Sequence, residues 1–302
     1  MTFGKLEDLS DVDFTLPDDN PLTTNVISAR DNAMPLQVCI GLPIWADKTW
    51  KGKLYPQNAK DNEFLYYYAR QFNCIELNQS LYKMPDVKTM REWKDSCPDG
   101  FKFFPKFHQS ISHERKLIGA AEPTAQFCEA VLSLGNCLGR VFLQLSPAYQ
   151  PGQLKNLEKY LKSLPPELPV SVELRHEQWF ADAGIWQETC AMLHSLGVGT
   201  VISDVAGRRD VLHMTLTTNH LMLRFMGNDL HPTDYTRADA WCERIVGWIN
   251  LGLKNIYVFI HCQNNSFAPE LALYWIKKLN DSGNLRIQEP RLRPQSVQGS
   301  LF

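Results

Sequence analysis

The sequence alternates eight times between a short apolar run and a segment with helical periodicity, and this alternation restricts the possible folds more than any other feature. The short runs are rich in β-branched and aromatic residues, as buried strands are. The segments between them repeat apolar residues at the spacing of one helix face, as Leu154, Leu157, Leu161 and Leu164 do after the fourth run. The predicted strands cover residues 38–43, 74–78, 101–106, 140–146, 169–175, 198–204, 221–227 and 255–261. Helices are predicted after them, for example near residues 61–72, 86–96, 124–134 and 184–196.

Strands that alternate with helices form parallel sheets, because each helix carries the chain back to the starting edge of the next strand. Eight such units are the number that closes into a barrel. The sequence therefore predicts an α/β fold, a single (β/α)8 TIM-type barrel. The alternative is an open, doubly wound sheet, although no GxGxxG turn follows the first strand as it does in dinucleotide-binding versions. We accordingly predict no cofactor.

Polar segments flank the predicted barrel, which spans residues 37–282. Residues 1–36 are acidic, contain three prolines and show no sustained period, which predicts an irregular N-terminal arm. Residues 283–302 contain two prolines and predict an irregular C-terminal tail.

The composition restricts the partners that we expect. The chain has 31 Lys and Arg against 33 Asp and Glu, and this net charge of −2 creates no global field to attract nucleic acid or an anionic membrane. No apolar run approaches the ~18 residues of a membrane helix, and the acidic start argues against a secretory signal. The eight cysteines include no CxxC pair, which disfavours structural zinc and is typical of a reducing compartment. We therefore expect a cytoplasmic protein without a membrane partner.

Polar residues at the carboxyl ends of the predicted strands identify the candidate site. Because successive side chains point to opposite faces of a strand, the apolar set of the second strand meets the helices and Glu76 and Asn78 point inward. The same alternation sends Glu173 and Arg175 inward. Barrel active sites lie at this end of the strands, so we expect one shared pocket, or else a structural ion network. The other polar groups near strand ends are Lys106, Gln144, Asp204, Arg224 and His261.

Several segments resemble motifs of a known family. VELRHEQWF at 172–180 is similar to an EFRHPSWF-type segment and is the most specific; IELNQSLY at 75–82 is similar to a VEINSTFY-type segment. FKFFPK followed by ISH at 111–113, VFLQLSP at 141–147 and the pair at 264–265 also match. Over about residues 38–280 the chain resembles the YecE-like family, known as domain-of-unknown-function family 72. The resemblance implies a barrel without an established activity, and it points to Glu76, Asn78, Tyr82, Lys106, His113, Gln144, Glu173, Arg175, His176, Trp179, Asp204, Arg224, Asn264 and Asn265.

The chain departs from that family at two places. Its seventh strand reads Arg224-Phe225-Met226-Gly227, where family members often have a histidine after the arginine. A role that rests on that histidine is therefore not expected here. The turn GLPIW after the first strand also differs from the family's GTSGW-like turn.

An enzyme that acts on a small anionic substrate is the first functional hypothesis. Arg175 and Arg224 suit a carboxylate or phosphate, because a guanidinium matches its oxygens with paired hydrogen bonds. The loop at 263–266 leads into a helix whose N–H groups suit an anion. Catalytic acid and base candidates are Glu76, Lys106 and Glu173. A Schiff base at Lys106 is conceivable, but a neighbouring carboxylate would keep this lysine protonated.

Two alternatives remain open from the sequence. One is a metal-dependent hydrolase or isomerase with Glu173, Asp204 and His261 as ligands, although no HxxxH or HExxH motif supports it. The other is a non-catalytic module that binds a nucleotide or single-stranded nucleic acid by charge and stacking. The residues that would form such a basic and aromatic rim are Lys106, Arg115, Lys116, Arg175, Trp179, Arg208 and Arg209.

Overall fold

The computed structural model describes residues 4–28 and 35–293, and all strand pairs within these ranges are parallel. They form a six-stranded sheet in the order β3-β2-β1-β9-β8-β7 and a three-stranded sheet in the order β4-β5-β6. The strands are β1 Gln37–Leu42, β2 Cys74–Leu77, β3 Lys102–Pro105, β4 Val141–Gln144, β5 Val170–Glu173, β6 Gly199–Thr200, β7 Ile202–Asp204, β8 His220–Met226 and β9 Asn255–His261. The fold is therefore α/β with parallel strands, as predicted, and the strands are divided six and three.

Hydrogen bonds join residues of the two sheets at two places. Between β3 and β4, Gly139 N–H donates to the Phe103 carbonyl at 2.7 Å and Phe107 N–H donates to the Phe142 carbonyl at 3.1 Å. At the other junction, only Val201 separates β6 from β7, and its N–H donates to Val172 of β5. The predicted sixth strand is thus two short strands, because the chain changes its partner from β5 to β8 at this residue.

Helices follow the strands along most of the chain. They are α1 Pro21–Ser28, α2 Phe64–Tyr68, α3 Gln79–Tyr82, α4 Val87–Ser96, α5 Ala121–Leu132, α6 Leu154–Lys162, α7 Gln178–Ala181, α8 Ala183–Ser195, α9 Pro232–Leu251 and α10 Ala268–Gly283. The helix predicted at 61–72 is shorter, since residues 61–63 form a 3-10 turn and α2 ends at Tyr68. Helix α5 begins three residues before the predicted Thr124, because a proline such as Pro123 is tolerated within the first turn.

The apolar core has an outer part and an inner part. Two outer clusters pack the helices against the strands. The inner cluster contains no helix residue, and its members come from the strands and from Val201: Cys39, Cys74, Phe104, Phe142, Val201, Met222, Tyr257 and Phe259. This apolar layer lies between the strands, and the strands continue beyond it toward their carboxyl ends.

The N-terminal arm is more regular than predicted, since it contains the helix α1. Its Asp19 carboxylate accepts hydrogen bonds from Arg244 at 2.5 Å and from Trp248 Nε1 at 2.8 Å, both on α9. Thr23, on α1, donates to the Met214 carbonyl at 2.8 Å. These polar anchors give α1 tertiary partners that a sequence pattern does not reveal.

At the other end of the chain, α10 continues to Gly283, one residue past the predicted boundary. Residues 284–293 form no helix or strand, and 294–302 of the predicted tail lie outside the described residues. No described helix is both long enough and apolar enough to cross a bilayer.

The contact between β1 and β2 predicts a severe effect at Gly41. A Cβ atom at this position would lie 2.3 Å from the Cys74 carbonyl oxygen, a backbone atom that cannot move without disturbing the sheet. We expect Gly41→Ala to lower the free energy of unfolding by about 1–3 kcal/mol. Urea unfolding measures this change. In the matched control Gly152→Ala, the added methyl group meets nothing within 4 Å, so unchanged stability of Gly41→Ala relative to this control would contradict the packing.

Candidate functional site

The candidate site lies next to the inner apolar layer along the strands. Side chains two positions apart point to the same side of a strand, so each residue of the layer is followed by another inward residue. Cys74 thus precedes Glu76, and Met222 precedes Arg224. By the same two-residue step, Phe104 precedes Lys106, Phe142 precedes Gln144, Ser171 precedes Glu173, Val201 precedes Ser203 and Phe259 precedes His261. One connected polar network therefore lies on top of the apolar layer.

Arg224 lies at the centre of this network. Its Nε and Nη2 donate to the two carboxylate oxygens of Glu76, each at 3.0 Å, which is the paired geometry that suits a guanidinium and a carboxylate. Its Nη1 donates to both oxygens of Glu173 at 3.3 Å. Nε2 of His261 lies 2.9 Å from Glu76 Oε2. The arginine thus joins carboxylates from β2 and β5.

The carboxylate of Glu173 accepts three further hydrogen bonds. Arg175 Nε donates to Oε1 at 2.8 Å, and the Ser203 hydroxyl donates to the same oxygen at 3.0 Å. Gln144 Nε2 donates to Oε2 at 2.6 Å. Glu173 is buried, so these partners replace the hydration that the carboxylate loses on folding.

Lys106 lies beside this network without entering its ion pairs. Its Nζ lies 3.3 Å from Gln144 Oε1 and 5.0 Å from the centre of the Phe142 ring. The side chain is buried. Burial and the nearby Arg224 lower the pKa of Lys106 to about 7, against 10.5 for an ordinary lysine, although Glu76 and Glu173 act in the opposite direction.

The two carboxylates stay ionised. Burial raises the pKa of Glu76, but Arg224 and His261 together lower it more, so that the pKa lies well below 4.5. Burial likewise raises the pKa of Glu173, and Arg175 and Arg224 outweigh that effect. Burial lowers the pKa of His261, so this histidine is neutral at pH 7 and its Nε2–H donates to Glu76.

Several partly exposed residues form the rim above the network. Arg175 has 13% of its side chain exposed and His261 has 14%. His113 is half-buried, and burial followed by the charges of Arg175 and Lys106 lowers its pKa. Asn78 is half-buried and its amide lies 3.5 Å from the Pro43 carbonyl.

Other predicted site residues lie farther from this centre. Tyr82 is 70% exposed at the end of α3. His176 is half-buried, and its Nδ1 accepts from the Gln178 backbone at the start of α7. Neither side chain has a hydrogen bond to the buried network among the contacts of the described residues.

The loop at 263–266 does not offer the open anion site that its sequence suggests. The Asn264 N–H donates to the Asp229 carboxylate at 2.8 Å, and the Ser266 N–H donates to the Asn264 side chain at 3.0 Å. The Asn265 carbonyl accepts from Trp50 Nε1 at 2.9 Å. A carboxylate of the protein itself therefore occupies the position where an anionic ligand was expected.

Asp204 does not join the inner network, which corrects the prediction. Its carboxylate accepts from Arg237 at 2.8 Å and from Trp241 Nε1 at 2.6 Å, both on α9, and it pairs with Arg209. The physical reason is strand alternation: the preceding residue, Ser203, faces inward and bonds Glu173, so Asp204 faces the helices.

Because Asp204 faces the helices, it lies apart from the other two ligands of the predicted metal site. Glu173 and His261 remain in the inner network. Over residues 4–28 and 35–293, no three His, Cys, Asp or Glu side chains come together as a ligand set. The carboxylates are engaged by arginines instead.

The basic and aromatic rim proposed for nucleic acid is not assembled as an exposed surface. Trp179 is fully buried and donates to the Tyr149 carbonyl at 2.8 Å, so it cannot stack on a base. Arg208 pairs with Asp210 at 2.9 Å, and Lys106 is buried. Arg115 is exposed and bonds Gly119, whereas Lys116 is half-buried.

Sequence reasoning overlooked Ser203, a member of the network that carries no charge. The signal that could have found it is the regular two-residue step from the inner apolar layer, since Val201 belongs to that layer and Asp204 has the wrong parity. A criterion based on charge selects Asp204 and passes over the uncharged Ser203.

The comparisons with known proteins show a family and solved structures of similar fold. The model of the family described as protein of unknown function DUF72 matches residues 39–296. The UPF0759 protein YecE of Escherichia coli K12 is 31% identical over 252 residues, covering 78% of this chain and 89% of the relative. Crystal structures of DUF72 family proteins from Thermotoga maritima and Enterococcus faecalis are similar, with TM-scores of 0.64 for both. They share 24% and 19% identity, and the matches cover 81% and 83% of this chain and 99% of each neighbour.

The central ion pair predicts the effect of Glu76→Gln. Loss of the carboxylate leaves the buried Arg224 partly uncompensated, so the free energy of unfolding at pH 7 should fall by about 3–5 kcal/mol. Because the pKa of Glu76 is lowered on folding, its contribution is present above the unfolded value of 4.5 and is lost as the pH falls. The stability of the variant should therefore depend less steeply on pH than wild type between about pH 5 and 3.

Urea unfolding across this pH range measures both effects. Glu129→Gln is the matched control, because Glu129 is exposed on α5. An equal acid slope in wild type and Glu76→Gln would show that the ion pair does not set this pH dependence.

Proposed function

The chain belongs to the family described as protein of unknown function DUF72, and we propose that it is a (β/α)8 barrel enzyme that acts on a small anionic substrate bearing a carboxylate or phosphate. The observation that carries the proposal is the polar network at the carboxyl ends of the strands. It contains three basic side chains, Lys106, Arg175 and Arg224, and two carboxylates. Barrel enzymes use this end of their strands for chemistry.

Closure of the strands into one barrel is part of the proposal. The hydrogen bonds from Gly139 and Phe107 join β3 to β4, and β6 and β7 are two parts of one strand broken at Val201. Counted in this way, nine short strands become eight. The inner apolar cluster supports a barrel because an open sheet has no such layer enclosed by strands alone.

Arg175 and Arg224 have different roles in this proposal. Arg224 already donates to Glu76 and Glu173, and it holds the site together rather than the substrate. Arg175 lies at the rim and is the more exposed of the two. An anion that enters the site therefore meets Arg175 before Arg224.

The lysine is the residue best suited to proton transfer. Its pKa of about 7 lies near the operating pH, where a group can both accept and donate a proton. Glu76 and Glu173 have lowered pKa values and accept several hydrogen bonds each, so they are poor bases. We assign them to the positioning of Arg224 and Arg175, and we assign the catalytic role to Lys106.

Ligand-induced stabilisation tests the proposal. Inorganic phosphate and pyruvate should raise the midpoint of thermal unfolding of the wild-type chain, because a ligand that binds only the folded state stabilises it. Arg175→Gln should weaken the apparent affinity roughly tenfold or more, since a hydrogen bond to a charged group contributes about 1.5–3 kcal/mol.

The matched control is Arg91→Gln, which removes the same charge from an exposed position on α4. Shifts are compared with each variant's own ligand-free midpoint. Equal ligand responses of Arg175→Gln and Arg91→Gln, or no response of the wild type to either anion, would refute the proposed anion site.

A further inference from the structure

We propose that Lys106 forms a Schiff base with the carbonyl group of an anionic aldehyde or ketone, such as a 2-oxo acid. The inference rests on the proposed function and narrows its substrate class. It assigns a covalent role to the lysine and a charge-balancing role to the arginines around it.

The first argument is the absence of an ion pair. Within the described ranges, no carboxylate oxygen lies within 4.0 Å of Lys106 Nζ. Arg224 takes both oxygens of Glu76 and shares Glu173 with Arg175. The carboxylates that would keep the lysine protonated are therefore engaged by stronger and permanently charged partners.

The second argument is the orientation of the amine. Gln144 Nε2 donates to Glu173 at 2.6 Å, which fixes the amide and turns its Oε1 toward Lys106 Nζ at 3.3 Å. A neutral amine has two N–H groups and one lone pair. One N–H satisfies Gln144, and no hydrogen bond of the described residues uses the lone pair, which is left to attack an electrophile.

The pKa of Lys106 supports this geometry. Burial and the charge of Arg224 lower it to about 7, so about half of the lysine is neutral at that pH. An ordinary lysine with a pKa near 10.4 is neutral in only about one molecule in a few thousand. Desolvated lysines beside other cations are the ones that become nucleophiles in proteins.

The charges of the network explain why the carbonyl compound should be an anion. With Lys106 and His261 uncharged, Arg175 and Arg224 balance Glu76 and Glu173. A protonated Schiff base would add one positive charge to this buried balance. A carboxylate or phosphate on the substrate supplies the compensating negative charge, which a neutral ketone does not.

The reaction balances without an oxidant or reductant. The lone pair of Lys106 Nζ attacks the carbonyl carbon, a C–N bond forms and the oxygen becomes a hydroxyl group. The C–O bond then breaks, and the two amine protons leave with this oxygen as water. The product is a C=N bond between Nζ and the former carbonyl carbon, which a proton from solvent converts to the iminium ion.

Reductive trapping tests the inference. The full chain is incubated with pyruvate or glyoxylate and sodium cyanoborohydride at pH 7, and peptides are mapped by mass spectrometry. We expect one reduced adduct on the peptide that contains Lys106, at least a hundredfold above the average of the exposed lysines. Its rate of formation should rise with pH and level off above about pH 7.

Two variants make the result specific. Lys106→Arg keeps a long cation but cannot form a Schiff base, so it should lose the adduct. Lys102→Arg should keep it, because Lys102 lies at the start of β3, is half-buried and bonds Asn136. Thermal unfolding midpoints check that both variants fold. Reductive methylation of Lys106 by formaldehyde gives a second measure of its reactivity.

The outcomes separate this inference from the proposed function. If pyruvate stabilises the wild type in an Arg175-dependent manner but the adduct is absent or spread over surface lysines, the Schiff base is wrong and the anion site stands. If pyruvate neither stabilises the chain nor labels Lys106, both fail. Selective labelling lost in Lys106→Arg and retained in Lys102→Arg supports both.

Discussion

The buried guanidinium of Arg224 is the interaction on which the interior of this protein depends. It lies between two carboxylates from strands that are not neighbours, Glu76 on β2 and Glu173 on β5. An unpaired charge at this depth would cost several kcal/mol, so neither the arginine nor its partners can remain alone. The ion pairs therefore fix how the strands meet across the interior, and Lys106 lies beside them with its Nζ bonded to the amide of Gln144.

This arrangement is consistent with both interpretations of the charged residues at the strand ends. Charged strand ends indicate either a structural ion network or a ligand site. In the structure, Glu76, Glu173 and Arg224 form the network, whereas Arg175 and His261 are partly exposed beside it. The network is what brings the pKa of Lys106 near neutrality, because it supplies burial and a nearby positive charge while engaging the carboxylates.

The sequence predicts the strands and the inward direction of Glu76, Gln144, Glu173 and Arg224 because side-chain alternation is a local property. It cannot predict which charged group takes which partner, since this depends on distances between strands that are far apart in the chain. The same limit explains the loop at 263–266, because its partner Asp229 comes from another element. Asp204 is different, since its outward direction follows from the alternation that turns Ser203 inward. The helix α1 was missed for a related reason, because its anchors on α9 are tertiary contacts.

The apolar layer beneath the network has an electrostatic consequence. Aromatic and aliphatic side chains such as Phe104, Phe142 and Met222 polarise weakly, so they form a low-dielectric layer on one side of the ionic network and screen its charges little. A low-dielectric wall concentrates the field toward the opposite side of the network, where Arg175 and His261 are partly exposed. The apolar layer therefore directs the potential of these ions toward an approaching molecule.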